Sequence, residues 1–192
     1  MTPTTMEGRL TEIGRRIDGL YASAQSSLGE TKSRMQRHVD ALWRAEALAR
    51  AVVREAYSES RQAVSEYADV VDYRVRLLEL ELDAAEASLR ADIAEDPDTL
   101  GAAVGDELDA VDLYVERLQV RAATKAGSTR VEAEGAIREL RARRNLFAQR
   151  LDEIREASDN GAGDTTGELK DSVAAARAEL ARAIDATAAK FA

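Results

Sequence analysis

The chain has no cysteine, one histidine, two prolines among 192 residues, and only 4% aromatic residues. Each shortage excludes something. Without cysteine there is no disulfide framework and no thiolate nucleophile or metal ligand, which is consistent with a reducing compartment. With His38 alone, the two Glu-x-x-His motifs of a di-iron bundle cannot be assembled, nor can a Ser/His/Asp set be argued. His38 sits at the edge of an apolar stripe and reads as a partly exposed interface residue. No apolar run approaches the roughly 20 residues that span a bilayer. The opening segment MTPTTMEGRL has no apolar core of a secretory signal. A cytoplasmic protein is expected.

What is present in quantity is Ala, Leu, Glu and Arg, all strong helix formers. Charged residues make up 33% of the chain, and the net charge is −9 with an isoelectric point near 4.8. That balance favours solubility and disfavours general affinity for nucleic acid. With only eleven glycines there are few places at which a helix must stop. The predicted class is all-α, in a single domain over residues 1–192.

Apolar residues recur at alternating spacings of three and four, the pattern of a coiled-coil seam. One stripe runs Met6, Leu10, Ile13, Ile17, Leu20, Ala24. It slips phase at SSLGE (residues 26–30) and resumes from Met35 through Val39, Leu42, Ala49 and Val53 to Leu78, Leu82, Ala85 and Leu89. Asp96-Pro97 then interrupts it. Pro97 suits the first turn of a new helix, with Asp96 as its cap; Asp106 is an alternative cap. The second stripe runs Val104, Leu108, Val111, Val115, Leu118, Ala122. It slips at KAGSTR (125–130), which reads as a stutter in a continuous helix, and resumes through Ile137, Leu140, Phe147 and Ile154. A glycine-rich break, SDNGAGDTTGELK (158–170), precedes a last helix carrying Val173, Leu180 and Phe191.

The internal proline lies near the midpoint, so a chain doubling back there has two equal arms. Gly29 then falls level with the glycine-rich break. The predicted architecture is a long antiparallel helical hairpin, a coiled coil turning near Pro97. Arm one covers 4–95, the tip 96–105, arm two 106–158, a linker 159–165 and a terminal helix 166–191. A second form is open, in which the joint bends and the terminal helices fold back into a local bundle.

Little in this pattern points to chemistry. The twelve-residue stretch DNGAGDTTGELK has the length of an EF-hand loop but carries Gly161, Gly163 and Lys170 at positions that require ligands. Pairs such as Glu79 and Asp83 are ordinary charges on a helix surface. No catalytic, metal or cofactor-binding residue is predicted, and the protein is not expected to be an enzyme.

Charge is polarised instead. Residues 66–116 hold sixteen acidic and three basic residues, an acidic tip in the hairpin. Part-way along each arm the balance is basic, a waist of residues 32–54 level with residues 138–150, where Arg138, Arg141 and Arg144 are prominent. Leu80, Leu113 and Val120 fall off the apolar stripes and, in the hairpin, at one level; Leu48, Val52 and Leu146 do so at the waist, with Trp43 beside them. These ten side chains are the candidate interaction residues. The expectation is a structural or adaptor coiled coil that self-associates, most simply as a dimer, and docks a protein partner through the acidic tip or basic waist. The alternative is an amphipathic-helix protein coating an anionic or apolar surface such as a membrane or granule.

Overall fold

The structure, a computed structural model, describes residues 3–27, 29–58, 61–159 and 166–191. Every element among them is helical: α1 (Pro3–Ser26), α2 (Gly29–Ser58), α3 (Arg61–Ile93), α4 (Pro97–Ala123), α5 (Gly127–Asp159) and α6 (Thr166–Ala188). The chain divides into two compact units, residues 1–89 and 90–192, with the last turn of α3 belonging to the second.

In unit one, α1 packs antiparallel on α2. Lys32 donates to the Gln25 carbonyl near the turn, and Arg50 reaches the Leu10 carbonyl far from it. The third helix runs parallel to α1: Arg9 pairs with Asp72 and Glu79, while Arg16, two turns on, pairs with Asp83 and Glu86. The stripes Met6–Leu10–Ile13–Ile17–Leu20, Met35–Val39–Leu42 and Val75–Leu78–Leu82 form one core. Removing this much apolar surface from water is the main force holding the unit together.

Unit two repeats the arrangement. Helices α4 and α5 are antiparallel, with Arg144 on Asp112 at mid-length and Ser158 on Asp98 at the far end. The terminal helix α6 returns antiparallel to α5, where Thr187 donates to the Ala136 carbonyl, and parallel to α4, where Arg177 meets Glu107. Asp96 caps α4 by accepting the Thr99 amide at 2.8 Å, with Pro97 in the first turn. That amide, then the Thr99 hydroxyl, holds the Asp96 carboxyl below its ordinary value. The cap is therefore complete at neutral pH and weakens only as pH falls through the lowered value.

The two units share one register. Met6, Leu10, Ile13, Ile17, Leu20 and Ala24 correspond, 98 residues later, to Val104, Leu108, Val111, Val115, Leu118 and Ala122. Val39 and Leu42 correspond in the same way to Ile137 and Leu140; Val75, Leu82 and Ala85 to Val173, Leu180 and Ala183. The turn glycines match too: Gly29 and Gly127 each have φ of 59° and open space where a Cβ would go. Because only the backbone conformation is at stake, Gly29→Ala and Gly127→Ala should each cost about 1–2 kcal/mol. Chemical denaturation of the two variants should give the same loss within about 0.5 kcal/mol. A loss confined to one of them would break the equivalence.

This helix order replaces two long arms. The stretch 4–95 is not a single helix interrupted by a slip. The chain reverses between α1 and α2 and again between α2 and α3. The tip is short, since α4 starts at Pro97 and not at 106. KAGSTR is a full reversal between α4 and α5, not a stutter. Folding back of the terminal helices is present, as α1 on α2 and α6 on α5. Residues 160–165, the centre of the glycine-rich linker, lie outside the described residues. The equal halves of the sequence reflect translation by 98 residues, where a hairpin would need mirror symmetry about Pro97. A two-stranded seam covers one narrow stripe per helix; in each unit a third helix covers what the first pair leaves open.

Candidate interaction surfaces

The acidic stretch 66–116 is largely engaged within the units. Asp72, Glu79, Asp83 and Glu86 hold Arg9 and Arg16 of α1; Asp106 holds Arg90, Asp112 holds Arg144, and Asp92 and Glu107 hold Arg177. With Asp98, which accepts from Ser158, at least nine of its sixteen carboxylates join helices or turns to one another. Glu95, Asp109 and Glu116 remain exposed. Arg9 and Arg16 are both held above the ordinary arginine value, first by hydrogen bonds to Glu79 and Glu86 respectively.

The basic positions are similarly divided. Arg144, a candidate contact, donates to Asp112 at 2.7 Å and is held above its ordinary value by that bond. Arg143 pairs with Glu139, and Arg150 with Glu153. Arg138 and Arg141 are exposed on α5 with no ion pair among the described residues. On α2, Arg50 pairs with the buried Glu46, and the two lie over Gly14 of α1, which leaves room for them. The equivalents of Gly14 and Glu46 in unit two are Asp112 and Arg144, so the same level holds an ion pair between helices.

The apolar candidates separate into two groups. Val52 packs against the core of unit one, and Leu80 is half-buried. Leu113 and Val120 on α4 are 51% and 68% exposed; Leu48 and Leu146 are about half exposed, and Trp43 is mostly covered with 37% exposed. Leu48 and Leu146 occupy equivalent positions of the repeat. Sequence reasoning missed Val131 on α5, Ile93 at the end of α3 and Tyr21 on α1, all exposed. Val131 and Tyr21 could have been found from their distance off the stripes; Ile93 follows Leu89 by four residues, at seam spacing, and so gives no such signal. The matched sets are shared between the units: Leu80, Leu48, Val52 and Trp43 belong to unit one, Leu113, Val120, Leu146 and the three arginines to unit two. A shallow hollow lies at the α3–α4 turn, lined by Arg90, Ile93, Glu95, Asp96 and Thr99.

No three Asp, Glu or His side chains gather as a metal ion would require among the described residues, and no described helix is long and apolar enough to cross a membrane. No family model, curated protein or solved structure matches the chain.

Proposed function

We propose that the chain is a non-enzymatic structural or adaptor protein that self-associates through apolar residues on the outer face of unit two. The carrying observation is the pair Leu113 and Val120. They stand two turns apart on one face of α4, and both are largely exposed. The remaining leucines and valines of that helix are buried. Two large aliphatic side chains aligned on a solvent face gain from being covered, and the flanking charges of Asp109, Glu116 and Arg117 supply a polar rim. An acidic docking tip has less support, because its carboxylates are paired within the units. Coating of an anionic surface by opened amphipathic helices has less support still, because the apolar stripes form the cores.

The combined variant Leu113→Glu with Val120→Glu places two charges in the contact without touching the core. Sedimentation should show a lower apparent mass than wild type at equal concentration, with helicity by circular dichroism unchanged. An unchanged mass would remove this reading.

A further inference from the structure

Part of the apolar face of the third helix is identical in the two units, although Leu78 and Leu89 of α3 correspond to Ala176 and Thr187 of α6. Val75, Leu82 and Ala85 of α3 recur unchanged as Val173, Leu180 and Ala183 of α6. Apolar packing at these three positions therefore does not discriminate between the two third helices. Charge does not share the repeat. Where α1 has Arg9, α4 has Glu107; where α3 has Glu79, α6 has Arg177. Each native pairing is attractive: Arg9 makes a two-pronged contact to Glu79 at 2.6 and 2.8 Å, and Arg177 makes one to Glu107 at 2.8 Å on both nitrogens. The two ion pairs occupy the same level of the repeat with opposite polarity.

We infer that this inversion is a pairing code, which admits α3 only to unit one and α6 only to unit two. Placing α6 against α1 would bring Arg177 to Arg9. It would also replace Asp72, the second carboxylate on Arg9, by its equivalent Lys170. Placing α3 against α4 would bring Glu79 to Glu107. Both exchanged arrangements set like charges against each other, and the second does so at a buried position. On the second helices the asymmetry acts one way: Glu46 of α2 set against α4 would meet Asp112, whereas Arg144 of α5 set against α1 would meet Gly14. Repulsion built against a wrong partner that apolar packing would accept is the way specificity is set between otherwise similar helices. The code acts within a chain and between copies, where an exchanged third helix would link molecules. It stands independently of the contact proposed on α4.

The natural absence of cysteine makes the test direct. In the full chain, Val173→Cys with Ala103→Cys reports α6 on α4, one turn before the ion pair. Val173→Cys with Thr5→Cys reports α6 on the equivalent position of α1. With native charges, a short bismaleimide should join the first pair only. Glu107→Arg with Arg177→Glu, and Asp92→Asn to relieve the neighbouring carboxylate, gives unit two the polarity of unit one. The second crosslink should then rise by about tenfold or more, within or between chains. Arg9→Glu with Glu79→Arg makes the converse change at a partly exposed site that tolerates it, and should raise the same crosslink. If either variant stays helical and forms only the native crosslink, or if wild type already forms both, the code does not exist.

Discussion

Arg177→Ala should destabilise unit two by about 3–5 kcal/mol, the loss typical of removing one member of a buried ion pair. The Arg177 side chain is 7% exposed, and Glu107 and Asp92, which it holds together, are 6% and 8% exposed. Burial alone would push the guanidinium down; the charges of Glu107 and then Asp92 more than offset it, so that it is held above its ordinary value. A raised arginine contributes its stabilisation at every pH below the ordinary arginine range and loses it only in strong alkali. Truncation to alanine leaves two carboxylates in a place that water reaches poorly. Amide exchange should accelerate at Leu140 and Leu180, with Val39 and Leu82 of unit one as the reference. Arg177→Met combined with Glu107→Met and Asp92→Asn should recover most of the loss, because replacing every charge together leaves none unpaired. A loss below about 1 kcal/mol for Arg177→Ala would mean that the site is wet and its pair weak.

Helical content was legible in the sequence because it rests on additive local quantities: propensity, the scarcity of proline, and a seam spacing repeated over many turns. The cap at Asp96-Pro97 was legible for the same reason. The path of the chain was not. A seam of leucines looks alike whether its partner runs from a reflected segment, a translated one, or another molecule. Gly29 and the glycine-rich break match under reflection about Pro97, whereas Gly29 and Gly127 match under translation, and among the described residues these two share the unusual φ. The register that decides between them lies in long-range pairs such as Arg9 with Glu79 and Arg177 with Glu107, which look like unremarkable surface charge one at a time. Side-chain exposure was partly readable: Leu113, Val120, Leu48 and Leu146 fall off the seam and are exposed, but Val52 and Leu80 fall off it and are wholly or partly covered, because a third helix widens the buried face.

Phe147→Ala should cost unit two about 3–5 kcal/mol. The side chain is fully buried in α5, and it is the larger of only two phenylalanine positions in mean burial, Phe191 keeping 7% exposure at the chain end. Alanine is the residue that unit one carries at the equivalent position, Ala49, also buried. The repeat therefore supplies its own comparison. Unit one carries alanine there with Met6 in its core near the same level, where unit two has the smaller Val104. The volume is distributed differently, so the same alanine leaves a void in unit two that its neighbours, held in helices, cannot close without moving backbone. Val104→Met, added to Phe147→Ala, should recover part of the loss by extending a flexible side chain into the core from α4, which packs antiparallel on α5. Denaturant titration should show the midpoint falling with an unchanged slope, the sign of lost stability without a change in the surface exposed on unfolding. If Phe147→Ala costs no more than about 1 kcal/mol, or if the added methionine lowers stability further, the two cores do not share one layout and the equivalence of Phe147 with Ala49 fails.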